Sequence, residues 1–254
     1  MDLRWLQLLH GLTTEHLRTI QIPLTPRPTR RKASGGVIVW GSTVPAEPTV
    51  KRAVAFVDGQ NLFHAARQAF GYSFPNCDPR ALAESLCGQR AWTLVEVRFY
   101  TGVPDKRDDA FWNHFWTAKL AQMGREGVHT FSRSLRYRNE KTKLPDGTET
   151  TVLVGREKGI DVRIALDVVR LAHRNQYDVA LVFSQDQDLS EAADEIRVIA
   201  REQNRWIKIA SAFPSSPTVS NERGINKTDW IAIDRATYDA CIDHRDYRPK
   251  RSAN

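Results

Sequence analysis

The chain lacks the features that would mark a disulfide-stapled, zinc-stapled or membrane-spanning protein. Its 254 residues include only three cysteines, Cys77, Cys87 and Cys241. The number is odd and no C-x-x-C occurs, so neither a disulfide framework nor a zinc site is indicated. The thiols read as reduced, in a cytoplasmic protein. No apolar run approaches the roughly 20 residues of a membrane helix. The opening stretch, residues 1–10, is too short and interrupted for a signal-peptide core. There is no internal repeat and no low-complexity tract. None of the histidines stands in a recognisable Ser-His-Asp pattern, which removes the usual signal for nucleophilic catalysis.

What is present is an ordinary globular composition with a basic excess. The chain is 41% hydrophobic and 26% charged, which permits one well-filled core with an appendage. The formal net charge of +7 suits a polyanionic partner. Residues 1–51 differ from the rest. They hold five of the twelve prolines and the basic cluster Arg27, Arg30, Arg31 and Lys32. They read as an amphipathic helix over about Leu3 to Ile20 and a flexible linker, suited to a protein partner or to self-association.

From Arg52 a strand–helix alternation begins, the mark of an α/β domain running to about residue 243. Val54-Ala55-Phe56-Val57 and Val179-Ala180-Leu181-Val182-Phe183 are short, wholly apolar runs, as expected of central parallel strands. Helices are expected over about 61–70, from Asp78-Pro79, and over 107–125, 160–173, 188–202 and 236–242. Further strands are expected over 94–101, 128–132, 206–210 and 230–233. Residues 133–157 read as an inserted hairpin turning at Pro145-Asp146-Gly147. It carries Arg133, Arg136, Arg138, Lys141, Lys143 and Arg156 interleaved with Tyr137, a pattern suited to tracking a nucleic-acid backbone. Residues 244–254 read as a disordered basic tail.

The acidic residues carry the chemistry. Asp58 ends the first apolar run; Ser184, Asp186 and Asp188 follow the later one; Lys158-Gly159-Ile160-Asp161 opens a helix. Ligands in open α/β sheets bind beyond the carboxyl ends of strands, so Asp58 and Asp186 should meet at one edge. Carboxylates gathered in one cleft repel, and a hard divalent cation relieves the repulsion. Each residue also has a structural explanation: Asp58, Asn61 and Asp188 as helix caps, Asp161 as a favourable charge in a first turn. Asp167, six residues after Asp161, falls on another face of its helix and is left outside the site. Asp229 and His64 are weaker candidates.

D-G-Q-N after a first strand, K-G-x-D at a helix start and S-x-D-x-D after a later strand together resemble the NYN domains, PIN-like nucleases that include the LabA-like proteins. The resemblance spans about Arg52 to Ala240. It implies a PIN-like three-layer α/β/α fold with a mostly parallel sheet, and Mg²⁺- or Mn²⁺-dependent hydrolysis of RNA. Carried onto this chain, it implies Asp58, Asp161 and Asp186 as metal ligands, with Asp188 assisting. Asn61, Lys158, Ser184, Arg136, Arg138 and Lys141 are expected at the RNA. Gln185 and Gln187 stand where the family usually has small residues, which alters the approach to that loop. A haloacid-dehalogenase-like phosphatase is disfavoured because its D-x-D is absent after the first strand. A catalytically silent RNA-binding or assembly module remains the alternative.

Overall fold

Six strands form one sheet, and all of them run parallel. The computed structural model describes residues 45–249, apart from 144–147, 157 and 219–222. The helix expected over Leu3 to Ile20 and the hairpin turn at Pro145-Asp146-Gly147 therefore lie outside the described residues. The strands are β1 (Lys51–Asp58), β2 (Trp92–Val103), β3 (His129–Ser134), β6 (Val179–Phe183), β7 (Lys208–Pro214) and β8 (Asp229–Ile233). Their order is β3-β2-β1-β6-β7-β8. The antiparallel pair β4 (Arg136–Lys143) and β5 (Glu149–Arg156) stands apart as its own two-stranded sheet.

The apolar runs predict the central strands because both faces are covered. Ala53, Ala55 and Val57 face a core shared with helices α1 (Gly59–Phe70), α2 (Pro79–Gly88) and α3 (Ala110–Arg125). Val54 and Phe56 face the opposite core, shared with α4 (Ile160–His173) and α5 (Ser190–Glu202). Side chains alternate across a strand, so a strand buried on both faces is apolar at every position. The result is the three-layer α/β/α sandwich expected of a PIN-like fold. All three thiols, Cys77, Cys87 and Cys241, lie in the first of these cores, and burial pushes each above its usual range.

Three expectations are corrected. Arg133 belongs to β3, opposite Gly102 of β2, so the central sheet continues one residue pair beyond the point where the hairpin was expected to begin. Asp229 opens β8 at the amino edge of the sheet and pairs with Lys208 at 2.7 Å, far from the carboxyl ends of the strands. Part of the tail expected to be disordered follows a defined path as far as Pro249. Tyr247 is 9% exposed, meets Phe115 edge-on at 5.9 Å and donates its hydroxyl to Asp243 at 2.6 Å. The buried Lys119 ammonium donates to the same carboxylate at 3.2 Å. Sequence reading counted the charges of this tail and missed that one aromatic ring could anchor it.

Asp167 is a buried acid bonded by four side chains. It is 2% exposed, and accepts from Tyr100 Oη at 2.9 Å, Arg163 Nε at 3.1 Å, Arg170 Nη2 at 2.7 Å and Arg98 Nη1 at 3.3 Å. It thereby ties α4 to β2 and accounts for an acid on that helix face. Removing one member of a buried ion pair typically costs about 3–5 kcal/mol, because its partners stay buried and uncompensated. Asp167→Ala is expected to destabilise the protein by about 3 kcal/mol or more, read from urea unfolding. Tyr100→Phe, which removes one hydrogen bond to a charged group, should cost about half as much. A loss below about 1 kcal/mol in Asp167→Ala would show that the arginines find other partners.

Candidate metal centre

The sheet reverses its direction of growth at β1. Strands β2 and β3 were added on one side, and the chain then crosses to place β6 on the other. The segments leaving β1 and β6 at their carboxyl ends therefore diverge and leave a crevice between them. Asp58 closes β1, and Ser184-Gln185-Asp186 leaves β6.

Asp58 is 8% exposed and caps α1, accepting from Asn61 N at 3.1 Å. The helix-cap explanation of Asp58 therefore holds, and the cap engages Oδ1. The acid is pushed up to about 6, first by burial and then by the negative fields of Asp186 and Asp161. Two amide donors, Asn61 and Gln60, only partly offset this. Asp186 is also raised, chiefly by burial and further by Asp188 and Asp161. The four acids therefore share one electrostatic environment. Among the described residues none of them has an ion-pair partner.

Local hydrogen bonds fix these groups. Ser184 Oγ accepts from Asp186 N at 3.1 Å, and Asp186 Oδ1 accepts from Asp188 N at 3.0 Å, starting the short 3-10 turn Gln187–Leu189. Asn61 Oδ1 accepts from Gln185 N at 2.9 Å. That bond joins the first turn of α1 to the loop after β6, so Asn61 ties the two sides of the crevice together. Asp161 lies in the first turn of α4, after Gly159 in the left-handed region at φ 76°. Asp188 is exposed, as is Lys158.

Gln185 and Gln187, which depart from the family pattern, each bind backbone groups distant in sequence. Gln185 Nε2 donates to Arg223 O at 2.9 Å. Gln187 Nε2 donates to Gly224 O at 3.0 Å, and its Oε1 accepts from Asn226 N at 3.1 Å. The two amides are spent as struts to the segment leading into β8. The signal was legible only as an oddity, because nothing near them in sequence names the backbone they bind.

The hairpin is present, with Arg136 and Lys141 exposed and Lys141 3.8 Å from Glu149. The side chain of Arg138 lies outside the described residues. Gly155 faces Tyr137 across the pair, where a Cβ would come within 2.9 Å of the ring. His64 lies half-buried beside Phe63, and burial, then Arg67, lowers its pKa.

The donor chemistry fits a hard divalent cation: oxygen donors, mutual repulsion and, among the described residues, no paired positive charge. Among the described residues, no three His, Cys, Asp or Glu side chains are gathered tightly enough to hold a metal ion by themselves.

Comparison with known proteins adds the following. A protein of unknown function from Vibrio parahaemolyticus is 18% identical, with TM-score 0.43, over 75% of this chain and 97% of that one. Ribokinase from Giardia lamblia is 10% identical, with TM-score 0.30, over 68% and 53%. MurG from Acinetobacter baumannii is 8% identical, with TM-score 0.29, over 72% and 45%. These resemblances carry no argument about chemistry. No curated protein matches. The family comparison is decisive: the NYN domain model matches residues 52–220, well over half of the chain and the whole span from β1 through β7, and this chain belongs to the NYN domain family.

Proposed function

We propose that this protein is a divalent-metal-dependent ribonuclease, with Asp58, Asp161 and Asp186 as metal ligands and Asp188 assisting. The family supports a PIN-like nuclease. The observation that carries the finer reading is Asp58, a buried carboxyl at the end of β1, raised to about 6 by burial and by the fields of Asp186 and Asp161, with no cationic side chain paired to it among the described residues. Mg²⁺ or Mn²⁺, when bound, supplies activation of water and stabilisation of charge on the attacked phosphate. The chain's own residues hold the acids in place: Asn61 couples the start of α1 to the loop after β6, and Ser184 holds the backbone at Asp186. RNA is engaged by Lys158 and by the hairpin residues Arg136, Arg138 and Lys141. Buried, unpaired thiols suit the reducing cytoplasm.

Cleavage of end-labelled single-stranded and structured RNA in Mn²⁺, Mg²⁺ or EDTA tests the reading. Asp58→Asn and Asp186→Asn are each expected to lower the rate by a hundredfold or more. Undiminished cleavage in EDTA or in either variant would overturn the mechanism. No Mn²⁺ uptake by calorimetry would favour a silent RNA-binding module instead.

The hairpin has its own measurement. Replacing Arg136, Arg138 and Lys141 with Ala should lower the log–log salt slope of RNA binding by up to about 2, at about 0.7 per lost phosphate contact. An unchanged slope would assign those charges to solubility.

Asp58 also makes a pH prediction for the metal-free protein. Its folded pKa, about 6, lies above the ordinary 3.8. Its burial is thus tolerated while protonated, below about pH 4, and becomes progressively costly as pH rises through 6. Asn caps as well as Asp without the charge. In EDTA near neutral pH, Asp58→Asn should therefore be more stable than the parent by about 2–3 kcal/mol, and the gain should vanish near pH 4. Equal urea midpoints for the two proteins at neutral pH would refute this account of Asp58.

A further inference from the structure

Beside the acids, on the same face of the sheet, stands a cluster with surplus positive charge. Asp58, Tyr100 and Phe131 are register partners across β1, β2 and β3. Asp58 continues the alternation of Val54 and Phe56, which face α4 together with Tyr100, and Phe131 packs against that same core. Phe131 thus lies two strand spacings from Asp58, about 10 Å along the carboxyl edge.

Phe131 carries two guanidiniums. Arg163 lies 4.8 Å from its ring centroid and Arg133 5.6 Å. Arg163, two residues after Asp161 on α4, is further fixed by donating Nε to Asp167 at 3.1 Å. Arg133 donates Nη1 to the carbonyl of Lys158 at 3.3 Å. The remaining nitrogens of both arginines have no protein partner among the described residues. Arg163 keeps 34% of its side chain exposed and Arg133 is exposed. Among the described residues, Arg98, Arg163 and Arg170 share two carboxylates, Asp167 and Glu96, and Arg133 pairs with neither. Cations stacked on a ring and anchored through one nitrogen are held in fixed planes, and a guanidinium so held offers a fork matched to phosphate oxygens.

We infer that Arg163 and Arg133, mounted on Phe131, form a binding site for the phosphodiester backbone of single-stranded RNA next to the acidic crevice. The inference rests on the ribonuclease reading for the identity of the polyanion. The site fixes the register of the strand, because it lies on α4 and β3 rather than on the mobile reach of a long side chain. It is separate from the hairpin, whose strands pair only with each other.

Fluorescence anisotropy of a short labelled single-stranded RNA, with the full chain in EDTA, tests this across a salt series. The double variant Arg133→Gln/Arg163→Gln should bind roughly tenfold more weakly at moderate salt, with a log–log slope lower by about 1.4, twice the value per phosphate. Arg133→Gln alone, which disturbs no buried carboxylate, should lose about half of that slope. Phe131→Leu keeps the bulk without the ring and should weaken binding with the charges intact. Thermal melts identify any variant that is unfolded, and the Arg133→Gln result then decides. An unchanged slope in folded Arg133→Gln overturns the inference, as does loss of polyglutamate binding with RNA binding retained, which would mark a surface for acidic protein. Slope loss in a protein that never cleaves RNA in Mn²⁺ would leave this site standing and remove the nuclease reading. Cleavage with an unaffected slope would do the reverse.

Discussion

Parallel pairing is the constraint from which the rest follows. A parallel strand can be followed by another only after a crossover has carried the chain back to its starting edge. With all six strands parallel, every loop that leaves a strand for a helix opens on one edge. β1 is flanked by β2 and β6, whose crossovers depart to opposite sides, so its carboxyl end is the one place where the loops do not close over the sheet. The acids are found there because the topology leaves room there. The same edge explains why Asp229, which begins a strand, lies elsewhere.

Two buried carboxylates show opposite solutions to one problem. Transferring a carboxylate from water costs several kcal/mol even after relaxation. Asp167 meets that cost with three arginines and a tyrosine hydroxyl, and it stitches a helix to a strand. Asp58 meets it only in part, with two amides, and its acidic neighbours add to the cost. A fold that can supply three guanidiniums to one acid could have supplied one to the other. The uneven treatment is the physical ground for treating Asp58 as a candidate site and Asp167 as a fastener. Each is about equally hidden from water, so burial alone would not have separated them.

Much of this was legible in the chain because the signals are local. Unbroken apolar runs named β1 and β6, and Asp78-Pro79 named the start of α2. Polar residues just past the apolar runs named the crevice. What stayed hidden depends on residues far apart in sequence. Arg163 reads as an ordinary helix-surface charge until β3 places Phe131 beneath it, 32 residues earlier in the chain. Gln185 and Gln187 read as departures from a family pattern until residues 223–226 fold against them. Tyr247 was hidden by its neighbours: four charged residues surround one ring, and average polarity outweighed the single residue that packs.

The placement of the thiols gives this protein an internal reporter. Cys77, Cys87 and Cys241 all belong to the layer of α1, α2 and α3, and the layer of α4 and α5 has none. A thiol reacts as thiolate, and only when reagent can reach it. Alkylation of the native protein therefore times the opening of one layer and is blind to the other. Cys77 forms a bridge with Ile242, the residue after Cys241, so these two thiols register release of the C-terminal segment; Cys87, at the end of α2, registers that helix. Labelling the three in parallel would separate fraying at the end of the chain from breathing of the sheet, without a single engineered residue.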